Sequence, residues 1–300
     1  MHDIDAMKVF ARVAERGSFT RAAADLGLPK ASVSIAVQQL ETLLGTRLLH
    51  RTTRRVEPTQ DGLAFLERCR DMLDDIDELQ SMFRDDERDL RGRLRVDMPT
   101  TSARLFVLPQ LPDFLAAHPG IELELSCADR RVDLIHEGFD CVLRVGALEN
   151  VDNLVARPLG QLVIGTFASP GYLARHGEPH SPDDLGGHRM VHYAQSFGGQ
   201  PDGFEYVDAD GVQVRPVAGA LTVNNTESYQ AACVAGLGLI QAPTAGLQPL
   251  VDAGQLREVL RDYRAAPMPM NLLYAHRRHL PRRVRVFMEW LAGRLAPILV

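Results

Sequence analysis

The hydrophobic period of the chain changes near residue 91, and this change constrains the fold more than any other feature. Before it, apolar residues recur every three or four positions, the spacing of amphipathic helices. After it, short alternating runs such as Leu94, Val96 and Met98 take turns with helical stretches. Neither one helical bundle nor one sheet accommodates that switch. A helical N-terminal region followed by α/β architecture does, and 300 residues are more than one compact core needs.

Apolar residues make up 45% and charged residues 24%, which excludes disordered, collagen-like and disulfide-scaffold chains. No run approaches the roughly 18 apolar residues of a membrane span. The start Met1-His2-Asp3-Ile4-Asp5 has two acids and no apolar stretch, which predicts no signal peptide. The cysteines at 69, 127, 141 and 233 form no C-x-x-C pair, so the expected setting is a reducing cytoplasm without a zinc site. No cofactor is expected.

The net charge is −6, but its distribution matters more. Between Leu28 and Val56, five cations (Lys30, Arg47, Arg51, Arg54, Arg55) stand against the single acid Glu41. Between Leu66 and Arg91, ten acids stand against five arginines. A basic patch on an acidic chain is either a nucleic-acid contact or a solvated surface loop.

Residues 1–45 read as three short helices. Ile4, Met7, Phe10 and Val13 share a face of the first, which Gly17 stops. Ser18 is placed to cap a second helix carrying Ala22, Ala23 and Leu26, closed by Gly27. After the turn Leu28-Pro29, Val33, Val37, Leu40 and Leu44 form the inward stripe of a third, ending at Gly45. Helix, tight turn, helix is the helix-turn-helix pattern. The opposite face of the third helix carries Ala31, Ile35, Gln38, Gln39 and Thr42, with Ser34 at its edge. Small and amide side chains there fit a major groove. Ile35 has two readings, a contact to thymine methyls or an incidental surface residue.

From Thr46 to Thr59, β-branched residues interleave with arginines, which suits a short hairpin wing along phosphates. From Thr59 to about Asp89 a long helix is expected. Leu63, Leu66, Leu73, Ile76, Leu79 and Met82 would form the seam of a two-helix coiled coil. Later strands are expected at Ile121–Cys127, Phe139–Val145 and Leu162–Phe167, and helices at Ser102–Ala117, Arg130–Glu137, Thr226–Ala235 and Pro281–Leu295. Such alternation implies largely parallel sheets.

Residues 1–62 together resemble the LysR-type transcriptional regulators. The matching positions are Phe10, Gly17, Ser18-Phe19, Ala22-Ala23, Leu26, Val33-Ser34, Leu40-Glu41, Leu44-Gly45, Leu48-Leu49, Arg51, Val56, Thr59 and Gly62. Asp129 to Asp140 is similar to one subgroup, as are Leu48 to Arg54, Arg144-Val145-Gly146, Val223-Asn224-Asn225 and Ala235-Gly236-Leu237-Gly238. Two positions depart from the family pattern: Ile35 follows Ser34, and Pro29 stands where many relatives have a capping serine.

The resemblance implies a winged helix-turn-helix at 1–59, a linker and dimerisation helix at 60–90, and an α/β two-lobed effector-binding domain at 91–300. Lobe 1 would be 91–160 with 268–300, and lobe 2 would be 161–267. The DNA-contacting residues are expected to be Lys30, Ser32, Ser34, Ile35, Gln38 and Gln39 near bases, with Arg51, Thr52, Thr53 and Arg54 on phosphates or the minor groove. Partners would be a near-palindromic duplex, a small-molecule effector and further copies of the chain, as a dimer and, by resemblance, a tetramer.

The effector is expected where the strand ending at Met98 runs into Pro99-Thr100-Thr101-Ser102 at a helix start. Backbone N–H groups and hydroxyls there suit a small anion, although a hydroxyl that merely caps the helix is the simpler account. Gly146 closes another such strand. The resemblance adds Asn225 and Thr226 from the second lobe, and Phe197 as a lid contact.

Enzymatic readings fare poorly. Gly236-x-Gly238 is no G-x-G-x-x-G, the histidines at 176, 180, 188 and 192 lack ligand spacing, and no G-x-S-x-G occurs. The arginines between 277 and 285 read as a solvated face. The alternative is a cytoplasmic small-molecule-binding protein whose N-terminal module does not bind DNA.

Overall fold

A computed structural model describes residues 3–51, 56–81, 90–130, 132–148, 154–195, 197–198, 203–275 and 280–300. The chain divides into two compact units, Met1–Glu87 with Arg91–Arg93, and Arg88–Leu90 with Leu94–Val300.

The first unit begins with helices α1 (Asp3–Arg16), α2 (Phe19–Leu26) and α3 (Lys30–Leu44). Strands β1 (Leu49–Arg51) and β2 (Val56–Pro58) follow, then helix α4 (Gln60–Ser81). Phe10, Val13, Ala22, Val33, Ala36, Val37, Leu48 and Leu49 make its core. The predicted stripe of α3 is buried at Val33, Val37 and Leu40, but Leu44 is 40% exposed and Ala36 takes an inward place instead. Leu44 is the last helical residue before Gly45, where the axis has run past the core.

The coiled-coil seam predicted along α4 is corrected in part. Leu66 is buried and Leu73 partly buried in the unit's own core, and the Cys69 thiol donates to the Met7 carbonyl at 3.6 Å. Leu63, Met72 and Leu79 are exposed, so only part of the apolar surface of α4 is free. Met82 lies outside the described residues.

Strand β3 (Arg91–Met98) enters the second unit at Leu94, and α5 (Thr100–Ser102), a π turn and a 3-10 turn lead on into α6 (Leu111–Ala117). The single helix expected over Ser102–Ala117 is broken there because Pro109 and Pro112 offer no N–H to a regular ladder. Next come β4 (Gly120–Cys127), β5 (Cys141–Val145), β6 (Leu154–Leu162), β7 (Ile164–Ala168), α7 (Pro170–His176), β8 (Val191–Tyr193), β9 (Phe204–Asp208) and β10 (Gly211–Arg215). The chain ends with β11 (Leu221–Val223), α8 (Thr226–Val234), β12 (Ile240–Pro243), α9 (Thr244–Asp252), β13 (Arg257–Val259), β14 (Met268–Ala275) and α10 (Arg282–Leu295).

Where a helix was expected over Arg130–Glu137, residues 134–138 form a turn. Asp133 Oδ1 accepts the N–H groups of Ile135 (3.1 Å) and His136 (3.0 Å), and Arg130 clamps Glu137 at 2.6 Å. Side-chain bonding of this kind competes with a helical ladder.

The sheets are mixed rather than largely parallel. A five-stranded sheet has the order β4-β3-β5-β14-β6, with β3 parallel to β5 and β14 antiparallel to both β5 and β6. The chain leaves this sheet through β6 and returns through β14, which sets the two against each other. A second sheet, β12-β7-β13, is antiparallel throughout. The five-stranded sheet packs on α6 and α10 around Phe114, Phe287, Met288 and Leu291. Around β7, separate clusters form on Tyr172, Phe204 and Leu239, and on Phe167, Cys233 and Leu247.

Candidate DNA interface and effector region

Helix α2 starts where Ser18 accepts the N–H of Arg21 at 3.4 Å, and it ends at Gly27. Gly27 has φ +63°, a left-handed conformation that glycine adopts without strain. Helix α3 follows Pro29, whose side chain gives no cap bond. Lys30, Ile35, Gln38 and Gln39 are exposed, with Ser32 and Ser34 half-buried. Ile35, Gln38, Gln39, Thr42 and Leu43 line a shallow depression of about 410 Å³. The Thr42 hydroxyl donates back to the Gln38 carbonyl at 2.8 Å.

The wing is a two-stranded antiparallel ladder in which Arg51 faces Val56. Thr52, Thr53 and Arg54 lie outside the described residues, and for Arg51 only the backbone is described. Three contacts that the local pattern did not show position the wing. Glu41 Oε1 accepts the N–H groups of Leu48 (2.9 Å) and Leu49 (3.1 Å). The Thr59 hydroxyl donates to the Arg47 carbonyl at 2.7 Å and accepts the Gly62 N–H at 2.9 Å. A Cβ on Gly62 would stand 1.9 Å from the Leu48 carbonyl oxygen, so only glycine lets α4 cross the wing at that height.

In the second unit the predicted effector residues come together in part. The Thr101 hydroxyl donates to Thr226 Oγ1 at 3.2 Å, and Gln230 Nε2 donates to Thr101 Oγ1 at 3.5 Å. The carboxylate of Asp129, a residue not among the expected contacts, accepts from the Thr226 N–H (2.6 Å), the Thr226 hydroxyl (2.7 Å) and the Thr100 N–H (3.3 Å). Arg104 and Glu227 pair beside them at 3.2 Å. Asn225 caps α8 by accepting the Ser228 N–H at 2.8 Å, so that oxygen is already engaged.

Ser102 is buried and Phe197 is 66% exposed. Gly146 has φ +97° and donates its N–H to the Pro269 carbonyl at 2.9 Å. The hydroxyl-capping account of this turn does not hold, because α5 starts at Thr100 after Pro99 with no side-chain cap. Beneath lies the ion pair of Arg144 with Asp97, at 2.9 Å, its carboxylate fully buried. An open depression of about 530 Å³ between α7, α8 and the end of α9 is lined by Ser169, Arg175 and Gly236 among others, and by none of the expected effector contacts.

Two family descriptions cover almost the whole chain. "Bacterial regulatory helix-turn-helix protein, lysR family" matches residues 4–63, and "LysR substrate binding domain" matches residues 87–296. The chain belongs to the LysR family of transcriptional regulators.

This LysR-type regulator is 50% identical over 293 residues to the uncharacterized HTH-type transcriptional regulator YhjC of Escherichia coli (strain K12), covering 98% of each chain. It is 39% identical over 290 residues to an HTH-type transcriptional repressor of Pseudomonas aeruginosa (strain UCBPP-PA14), covering 97% of this chain and 91% of that one. The solved structure of CrgA, a LysR-type transcriptional regulator from Neisseria meningitidis, aligns with a TM-score of 0.61 at 28% identity, covering 97% of this chain and 98% of that chain. The regulator's motif residues now have physical roles: Glu41, Thr59 and Gly62 set the wing, and Gly238 lets β12 approach Arg189, whose carbonyl oxygen lies 2.6 Å from where a Cβ would stand. Among the described residues, no helix is long and apolar enough to cross a membrane.

Proposed function

We propose that this protein is a cytoplasmic, effector-responsive regulator that enters the major groove with α3 and holds phosphates with the wing. The observation that carries this is the outward face of α3. Lys30, Ile35, Gln38 and Gln39 stand exposed there, with Ser32 and Ser34 at its margin, opposite a buried stripe. Gln38 and Gln39 supply amides for base edges, and Ile35 with the Thr42 methyl supplies apolar contact for thymine. Arg51, Thr52, Thr53 and Arg54 hold the backbone.

The proposed division is 1–59, 60–90 and 91–300, the last with two lobes, 91–160 plus 268–300 and 161–267. The return of β14 into the five-stranded sheet supports it. Two copies pair through α4, which sets two recognition helices on a near-palindromic site, and dimers associate further into a tetramer. A small anionic effector binds between the lobes near Thr100, Thr101, Ser102, Gly146, Asn225 and Thr226, with Phe197 at the rim. No catalytic role is proposed.

The test is binding selection from a randomised duplex library. Replacing Gln38 by alanine should change preference at one position by about 1–3 kcal/mol. An unchanged preference removes α3 from base readout.

A further inference from the structure

The hairpin of β9 and β10 is tied to the second unit along one edge. Its antiparallel register is regular, with Val212 opposite Val207 and Val214 opposite Glu205. The Val207 N–H donates to the Arg264 carbonyl at 3.0 Å. Glu205 gives its N–H to Gln241 Oε1 at 2.9 Å and receives Gln241 Nε2 on its carbonyl at 2.7 Å. Val207 and Glu205 thus turn their backbone groups away from β10. In an antiparallel pair, two opposed residues either bond to each other or both turn away. The N–H and C=O of Val212 and Val214 therefore point outward from β10, and among the described residues none pairs with them.

The devices that keep exposed strand edges apart are missing here. Gly211–Arg215 has no bulge and no lysine, and Pro216 stands only past its end. Val207, Val212 and Val214 are exposed on one face of the hairpin.

This edge is complementary to itself. When two copies of β10 run antiparallel about a twofold axis at Gln213, Val212 of each meets Val214 of the other, and all four free N–H groups reach carbonyls. A slip of two residues brings in either Pro216, which has no N–H, or Asp210, whose N–H is held by Asp208 Oδ1 at 2.8 Å. In the matched register Arg215 faces the partner's Gly211, which has no side chain to block it. Behind that glycine, on the same face, lies the partner's Asp208, since Asp208 is opposite Gly211 in the hairpin. Asp208 is exposed, and Arg215 stays 47% exposed beside Asp183. Opposite charges align twice across the axis, while the valines join in one apolar strip.

We propose that the β10 edge is a docking surface for a second copy of this chain, which joins two hairpins into one four-stranded antiparallel sheet. The surface is separate from α4, so a copy that uses both assembles beyond a dimer. The sheet rests on the edge geometry alone, and the higher assembly rests on the α4 pairing under Proposed function.

The test uses the full-length chain with the exposed Cys127 replaced by serine. Gln213 meets its own copy in a non-hydrogen-bonded pair, with Cα atoms about 4.5 Å apart, within disulfide range. Under mild oxidation Gln213→Cys should crosslink about tenfold faster than Val207→Cys, whose thiols stand three strand spacings apart, roughly 14 Å. Val214→Pro removes an outward N–H and no hairpin bond, and Val212→Lys keeps every backbone bond. Each should abolish the crosslink and halve the mass of the largest sedimenting species, with the fluorescence of Trp290 unaltered. Leu79→Asp, which breaks α4 pairing, should leave the crosslink in place.

Equal crosslinking at 207 and 213, or a crosslink that survives both edge variants, overturns the paired sheet. An unchanged mass in both, whether the edge is idle or takes a strand of a different protein, overturns the second copy as its occupant. A crosslink lost in Leu79→Asp overturns β10 as a surface independent of α4.

Discussion

Glu41 and Leu48 fix the angle between α3 and the wing: the glutamate Oε1 accepts the Leu48 N–H at 2.9 Å while also taking that of Leu49 at 3.1 Å. One carboxylate thus satisfies two backbone donors of the part-buried turn into β1. Replacing Glu41 by alanine strands both, at about 1–3 kcal/mol each before relaxation. The expected result is faster amide exchange at residues 48 and 49 and weaker DNA binding at every sequence. Wild-type exchange in the variant would show that the wing does not depend on this contact.

Gly62→Ala should be worse. The added methyl would stand 1.9 Å from the Leu48 carbonyl oxygen, and the obstacle is backbone that cannot swing aside. Overpacking of this kind costs about 1–3 kcal/mol or more. Loss of N-terminal helicity and of duplex binding is the expected outcome, with the fluorescence of Trp290 in α10 unaltered. A variant with normal duplex affinity would refute the close crossing.

The exposed side chains of α4 carry the assembly prediction. Leu79 is 64% exposed and Met72 52% exposed, whereas Leu66 already packs inside its own unit. Leu79→Asp should therefore shift the sedimenting species toward the monomer without unfolding the N-terminal core. A wild-type mass for that variant removes α4 from the dimer interface.

The second unit should lose stability in mild acid. Burial, and then the charge of His176, lower the pKa of His188 below the usual 6.5, and burial alone lowers that of His192. Both rings are harder to protonate in the fold than in the unfolded chain, so the unfolded chain binds more protons as the pH falls through 6.5. The stability they contribute is complete above that pH and drains as the pH drops toward the folded values. Denaturation followed by Trp290, packed 4.9 Å from Phe114, should show a midpoint that falls below pH 6.5 and falls less steeply in His192→Gln. An identical pH slope in that variant excludes His192 as a source.

Much of the N-terminal unit was legible from spacing, because α2, α3 and their caps are local features. Ser18, Gly27 and Gly45 end or begin helices as their residue types dictate. The errors arose where local pattern met competing chemistry: Asp133 diverts the amides of Ile135 and His136, and prolines break the stretch after Ser102. That Thr100, Thr101 and Thr226 lie close together was legible, but the Asp129 carboxylate that bonds to Thr100 and Thr226 was not. Asp129 reaches Thr226 across 97 residues of sequence, and Gln230 reaches Thr101 across 129, and no local period encodes such contacts. Glu41 was legible only as a motif residue, since its bonds to the wing depend on how the turn after Gly45 folds back.

The central claim is that the basic wing and α3 bind duplex DNA through its phosphates, and a salt titration tests it most directly. Fluorescence anisotropy of the full-length protein on a labelled random duplex, repeated across salt concentrations, gives the slope of log K against log salt. A linear fall of about 0.9 per neutralised phosphate is predicted, made shallower by about one unit in Arg54→Ala at unchanged base preference. Binding that ignores salt, or an Arg54→Ala variant with the wild-type slope and an altered base preference, would contradict the account.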